Sequence, residues 1–387
     1  MKKNNGVNKV VRFIRIYGLG KTCYKVLGRL RVKLKLLGPR KSRRWRDVGV
    51  IGCGQFTFAT VGFSLCKKFG NRFVSCYDVN ATASKTFADF YKIHSPASTA
   101  SELIKNDQVK CVYVASNHAS HSEYARQALA AGKSVYVEKP IAVSVEQLSQ
   151  LMIAIKKSRS DIWAGYNRPF SKAIRLLRKY TDDHGAPLTL NCFVSGHKIP
   201  PEHWYRNPEE GTRICGNVGH WLDLAVHILS WGEMADDWFI QISYSDMTSR
   251  DDDITITMTS SHGDLISITL TSRCEPFEGI NETINFQQSH TICKIDDFRR
   301  MQVWKENRVF KKRFWPKDVG HELALLQPFQ QESQRDWAEV VLSSLLMLHI
   351  AEMVKEGIKQ SNFSFVDAKA QLNENIRSYE ANSTKIV

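Results

Sequence analysis

From Asp47 to Pro140, short β-branched runs alternate with helical stretches. Asp47–Gly52 (DVGVIG) reads as a buried strand, followed by a glycine turn and a helix to about Phe69. Phe73–Tyr77 (FVSCY) is a second strand, a helix near Ala83–Tyr91 follows, and Val109–Ser116 is a third strand. Helix Ser122–Ala131, strand Ser134–Glu138, a helix near Val145–Lys157 and strand Ile162–Gly165 complete the series. Strand–helix alternation at this spacing predicts right-handed βαβ units and a doubly wound parallel sheet, a Rossmann domain over residues 47–168.

The pattern then changes. Leu188–Lys198 reads as a strand and Asn217–Trp231 as a helix. Ile254–Thr259, Leu265–Thr271, Thr283–Gln287, Thr291–Ile295 and Val309–Phe314 alternate as half-buried strands do, with hairpin-type turns such as His262-Gly263-Asp264 between them. Ser333–Lys359 reads as a long amphipathic helix, and Asp251–Asp253 as a solvated hairpin tip. Residues 169–387 are therefore expected to form an α+β domain with a mainly antiparallel sheet for substrate and oligomer contacts. The fold class is α/β in the first domain with this α+β domain after it.

Charge adds a third segment. The chain has 387 residues, 54 basic and 39 acidic, for a net +15. Residues 1–46 hold 16 of the basic side chains and no acidic one, so the remaining body is close to neutral. The basic excess thus does not point to a nucleic-acid-binding body. Within the arm, Tyr24, Leu27, Leu30, Leu34 and Leu37 recur at helical spacing, with Lys25, Arg29 and Lys33 elsewhere on the wheel, although Arg29–Leu36 also alternates as a strand would. Basic residues interleaved with large apolar ones predict docking on the anionic inner face of a membrane through residues 1–46. A flexible or body-packed arm is the second reading, and nucleic-acid binding or an organellar transit peptide follow it. No run of about 18 uncharged apolar residues occurs, so no membrane-spanning helix is expected. The nine cysteines are scattered, without a C-x-x-C pair, which suits reduced thiols in the cytoplasm and no metal site.

The candidate chemistry starts at Gly52-Cys53-Gly54-Gln55-Phe56-Thr57, between a strand and a helix. One glycine would make the tight turn and the next would let backbone approach a pyrophosphate, with Gln55 and Phe56 opening the helix beside it. Thr57 stands where a third glycine often sits. Asp78 ends the next strand, 24 residues after Gly54, where a carboxylate can accept from both ribose hydroxyls and repel a 2′-phosphate. NAD is favoured over NADP.

The segments VIGCG at 50–54, SNHASH at 116–121, ALAAGKSVYVEKP at 128–140 and GYNRPF at 165–170 resemble the Gfo/Idh/MocA family of NAD(P)-dependent oxidoreductases. The resemblance implies that Lys139 of the Glu138-Lys139-Pro140 stretch contacts substrate oxygen and nicotinamide ribose, with a cis peptide before Pro140. It also places Ser116, Asn117, His121, Glu138 and Pro140 at the cofactor. The family's D-x-x-x-H helix maps onto Gly216–His220, so His220 becomes the general base and Asp223 the carboxylate one turn on, while glycine stands at the acidic position. Asn167, Arg168, Trp204, Arg213 and Asn217 fall on the substrate side. His203-Trp204-Tyr205-Arg206 combines rings and a cation suited to a sugar or a phosphate. His227, on a similar face to His220, reads as structural.

These features predict an NAD-dependent oxidoreductase acting on a secondary hydroxyl of a sugar or nucleotide-sugar, in surface-polysaccharide assembly, and forming a homo-oligomer. A redox-neutral member of the same family and a non-catalytic NAD-binding sensor or scaffold stay open as alternatives.

Overall fold

The computed structural model describes residues 4–31, 38–40, 45–181, 185–275, 279–330 and 334–384. Two compact units emerge. One comprises Tyr17–Gly165, His321–Arg335 and Asn375–Val387; the other comprises Met1–Ile16, Tyr166–Gly320 and Asp336–Glu374.

The arm begins with two helices, α1 (Asn4–Tyr17) and α2 (Leu19–Leu30). Lys33, Leu34 and Leu37 lie outside the described residues.

The first unit is built on a five-stranded parallel sheet of β1 (Val48–Ile51), β2 (Phe73–Tyr77), β3 (Cys111–Val114), β4 (Ser134–Val137) and β5 (Ile162–Ala164), in the order β2-β1-β3-β4-β5. Its interior carries Val48, Val50, Phe58, Phe73, Phe87, Tyr113 and Tyr136, all nearly inaccessible to solvent. Helices α3 (Gly62–Phe69), α4 (Ala81–Tyr91), α5 (Ala100–Lys105), α6 (His121–Ala130) and α7 (Val145–Lys157) alternate with the strands. Asn80, Thr99 and Ser144 cap α4, α5 and α7 through side-chain oxygens that accept from backbone N–H groups of the first turn.

This unit contains two pieces that its strand pattern does not announce. The α2 helix of the arm packs on it, with the Tyr24 ring edge-on to Phe63 and Phe90 at 5.3 and 5.8 Å and Leu27 against the core cluster. Gly28 permits that approach: a Cβ there would lie 2.9 Å from both Gln55 and Phe58. The expectation of an interfacial helix around Tyr24 and Leu27 is thereby corrected, because their apolar surface is spent on the protein core. The second piece is His321–Arg335, where the Leu325 carbonyl accepts from the Tyr113 hydroxyl at 2.6 Å and Phe329 meets Phe69 edge-on at 5.4 Å.

In the other unit, α8 (Lys172–Leu177) precedes β6 (Leu188–Ser195), which enters a nine-stranded sheet of order β13-β12-β11-β10-β6-β9-β8-β7-β14. Its members are β7 (Asp237–Tyr244), β8 (Ile254–Ser260), β9 (Leu265–Thr271), β10 (Asn281–Gln288), β11 (Thr291–Asp296), β12 (Arg300–Lys305), β13 (Arg308–Arg313) and β14 (Gln360–Ser364). All pairings are antiparallel except β6 with β9. Burial alternates along β6 to β12, so one face packs inward and the other stays open. The helices are α9 (Gly219–Leu229), α10 (His321–Leu326, in the first unit), α11 (Trp337–Glu356) and α12 (Phe365–Thr384).

Two expectations change here. The α11 helix is not amphipathic: thirteen of its twenty residues are buried, from Glu339 to Val354. It is long and apolar enough by length and composition to cross a membrane, but 67% of its most apolar stretch is buried inside the fold, as in a core helix. Asp251–Asp253 is no solvated tip. Asp251 is 9% exposed and accepts from the Arg213 backbone N–H at 2.8 Å, while Asp252 pairs with Arg206 and Arg213.

Candidate functional site

The β1 strand ends in Gly52, whose φ of 92° suits glycine. A Cβ there would sit 2.3 Å from the Ala115 carbonyl oxygen at the end of β3. Gly54 faces open space, with nothing within 4 Å of a Cβ position. The backbone at this turn is therefore accessible to a ligand where the first helical N–H groups begin. The helix starts as a π-turn, Thr57–Val61. The Tyr91 hydroxyl donates to the Phe58 carbonyl at 2.5 Å, taking the acceptor that the Gly62 N–H would use in an α-helix, and Gly62 N–H bonds Thr57 O instead. Gly62, rather than residue 57, is the glycine of close packing: a Cβ would lie 1.8 Å from the Tyr91 oxygen.

Asp78 stands at the end of β2. Its Oδ2 accepts from the Cys53 N–H at 2.7 Å and its Oδ1 from the Asn80 N–H at 2.8 Å, so the glycine turn and the next helix cap orient the carboxylate. The arm reaches the same turn. Arg31, just past α2, donates from Nη1 to the Cys53 carbonyl at 3.0 Å, and the Gln55 side chain donates to the Lys25 carbonyl at 3.0 Å. Gln55 thus turns its amide toward the arm, and Phe56 its ring toward His321 at 5.7 Å.

After β3, Ser116 and Ser120 share a hydroxyl hydrogen bond at 2.7 Å, and Ser120 donates to Asn117 Oδ1 at 2.6 Å. His121 opens α6 fully buried, Nδ1 2.8 Å from the Pro140 carbonyl and Nε2 3.2 Å from that of Ser116. Burial lowers its pKa to about 4, so the ring is neutral at physiological pH. This histidine ties the loops after β3 and β4 together. At the end of β4 the Lys139–Pro140 bond is cis. Glu138 is 7% exposed; Oε1 accepts from the Tyr136 hydroxyl at 3.1 Å and Oε2 from the Lys139 N–H at 3.3 Å. Burial raises its pKa to about 7 against the opposing effect of Lys139. Gly165 leaves room for this carboxyl, since a Cβ there would lie 2.8 Å from it.

The remaining expected residues lie in the other unit. His220 is half-buried on the first turn of α9, its ring edge-on to Tyr166 at 6.4 Å. The turn before it, Ile214–Val218, is a second π-turn that contains Gly216 and Asn217. Asp223 is fully buried and accepts from the Ser343 hydroxyl at 2.9 Å. Arg168 donates from Nε and Nη2 to Glu282 at 2.8 and 3.1 Å, and its guanidinium lies 4.4 Å from the Trp221 ring centroid. Asn167 donates to the Val319 carbonyl. Arg213 is fully buried and donates to Asp252 at 2.8 Å, to the His197 carbonyl at 3.0 Å and to Asn217 Oδ1 at 3.4 Å. Trp204 stacks on His203 and is 39% exposed. Within this unit, only His220 and Trp204 of the expected set combine access with rings or nitrogens suited to a ligand. Among the described residues, no group of three or more His, Cys, Asp or Glu side chains is placed to hold a metal.

The family described as an oxidoreductase family with an NAD-binding Rossmann fold, Gfo/Idh/MocA, matches residues 46–166. Residues 46–166 are similar to that family. Inositol 2-dehydrogenase of Ralstonia nicotianae is 27% identical over 192 residues, 48% of this chain and 53% of that protein. Oxidoreductase P35 of Formosa agariphila is 30% identical over 182 residues, 46% of this chain and 57% of that protein. The chain thus spans only somewhat more than half the length of these curated relatives. A levoglucosan dehydrogenase solved with NADH and L-sorbose superposes with a TM-score of 0.68 at 15% identity, covering 82% of this chain and 98% of that one. At that identity the match speaks for the two-domain fold.

The Rossmann unit has the features that NAD requires: an open second glycine, a carboxylate oriented at the end of β2, and loops after β3 and β4 locked to each other. Gly52, Gly54 and Asp78 would hold the pyrophosphate and ribose, and Ser116, Asn117 and Lys139 would approach the nicotinamide half. Arg31 and Glu282 had no place among the expected residues. Arg31 gives no sequence signal. Glu282 does give one, since it sits at an inward position of an alternating strand.

Proposed function

We propose that the protein is an NAD-dependent dehydrogenase acting on a secondary hydroxyl of a sugar-like or cyclitol substrate. The observation that carries this reading is the end of β4, where Lys139 stands between a buried carboxyl, Glu138, and the cis peptide to Pro140, at the carboxyl edge of the sheet that bears the glycine turn. When bound, NAD supplies the hydride acceptor. The Lys139 ammonium would polarise the substrate oxygen and stabilise alkoxide character. His220 would take the hydroxyl proton. Glu138 holds the Lys139 backbone and can carry a proton near neutral pH.

The names of the relatives, inositol and levoglucosan dehydrogenase, favour an unactivated polyol. The finer expectation of a nucleotide-sugar in polysaccharide assembly draws no support from Arg206 or Arg213, which are paired with Asp252. NADH absorbance with panels of cyclitols, anhydrosugars and nucleotide-sugars tests both. Lys139→Ala should lower kcat by about 10²–10⁴-fold with NADH binding retained. Bound NAD with turnover but no net NADH would instead favour the redox-neutral reading, and NADH binding without turnover on any panel the sensor reading. For the expected homo-oligomer we propose the open face of the nine-stranded sheet, where Phe193, Phe239, Leu265 and Ile292 are 39–49% exposed. A monomer mass by light scattering would refute it.

A further inference from the structure

The structure divides the basic arm. The apolar side of α2 is committed to the Rossmann core, so that helix cannot also enter a lipid interface. The α1 helix differs. Lys9, Val10, Val11, Arg12 and Arg15 are exposed, Val10 and Val11 by 40 and 43%. Its C-terminal end is fixed to a second basic and aromatic segment of the same unit. Trp315 Nε1 donates to the Arg15 carbonyl and the Lys317 N–H to the Ile16 carbonyl, both at 2.8 Å. Trp315 is 69% exposed and lies two residues past the end of β13, the edge strand, in which all six residues from Arg308 to Arg313 are exposed. Residues 299–317 carry eight basic side chains and one acidic one, Glu306.

Lysines on an edge strand commonly serve only to block pairing with another sheet. That role does not require an exposed tryptophan, nor a helix with exposed valines and three cations docked beside it. Indole rings favour the lipid–water interface, and each nearby Lys or Arg adds attraction to anionic headgroups. We propose that α1, β13 and Trp315 form one face that lies on an anionic phospholipid bilayer, with Trp315 and Val10–Val11 at headgroup depth and Lys311, Lys312 and Arg313 against the phosphates. The charge of the face selects an anionic bilayer over a neutral one. The contact runs along the edge of the sheet, where Lys311 and Arg313 project to its open side and Lys312 to the other.

The test is flotation of the full chain with phosphatidylglycerol-rich vesicles and with pure phosphatidylcholine vesicles. Binding is expected only to the former, weakening as added salt shortens the screening length from about 10 Å to about 3 Å. Lys311→Gln, Lys312→Gln and Arg313→Gln together should weaken it on the order of a hundredfold, about fivefold per charge. Trp315→Ala should weaken it severalfold with the melting temperature kept. Lys85→Gln, Lys105→Gln and Lys110→Gln, an equal charge change at exposed sites of the Rossmann unit, should leave it intact. The proposal is overturned if the two triple variants behave alike, if Trp315→Ala binds as the parent does, or if the protein binds duplex DNA or RNA but not the anionic vesicles.

Discussion

Arg168 was expected at the substrate, yet it lies 4% exposed with Glu282 at 2% and the Trp221 N–H donating to the same carboxylate at 2.7 Å. Arg168→Met would leave Glu282 buried with one N–H donor where it had three. Removing one member of a buried, hydrogen-bonded ion pair costs about 3–5 kcal/mol, and Glu282→Leu should cost a similar amount by stranding the guanidinium. Removing both charges avoids the stranded ion. Arg168→Met combined with Glu282→Leu should therefore lie within roughly 1–2 kcal/mol of the parent, well above either single variant. Urea unfolding followed by tryptophan fluorescence reads all four corners of the cycle, since Trp221 is part of the cluster. A substrate-contacting arginine behaves otherwise: Arg168→Met would keep its unfolding midpoint and raise KM. That result would refute the structural reading.

Glu138→Gln tests the buried carboxyl through pH. Its pKa is raised from 4.5 to about 7, so the folded state holds a proton that the unfolded chain releases, and stability is lost as pH rises through that window. The variant should gain on the parent by up to about 3 kcal/mol between about pH 5 and pH 8, and a pH-independent difference would sink the idea. Asp78→Ala should weaken NADH binding about 10–100-fold in fluorescence titration while NADPH, repelled by the carboxylate, loses far less. Gly62→Ala should destabilise the Rossmann unit by a few kcal/mol, seen in thermal unfolding, because its Cβ would overlap the Tyr91 hydroxyl at 1.8 Å.

The Rossmann strands were legible because burial on both faces writes a continuous apolar run, as in VGVI and CVYV. Hairpin strands were legible where inward residues were large and aliphatic. Arg300–Lys305 was not read because only Met301 and Val303 point inward between charged ends, and Gln360–Ser364 offers only Phe363. The glycine turn and Asp78 were readable because ligand approach constrains residue type within a few positions. The pairing of Arg168 with Glu282 was hidden for the opposite reason. Its partner is 114 residues away, and spacing cannot report a pairing set by sheet register. The arm was ambiguous for a related reason: a basic amphipathic helix looks the same whether its apolar side meets lipid or Phe58, Phe63 and Phe90.

The return of His321–Arg335 to the first unit bears on how the protein is made. A ribosome that has finished the fifth parallel strand must add about 160 more residues before Leu325 can accept from Tyr113, a delay of roughly 10–30 s at about 5–20 residues per second. Throughout that interval the rings of Phe69 and Tyr113 wait for a cover encoded far downstream. The nascent nucleotide-binding half is then a natural client for a holdase chaperone, and a gene fragment ending at Gly165 would yield a sticky polypeptide.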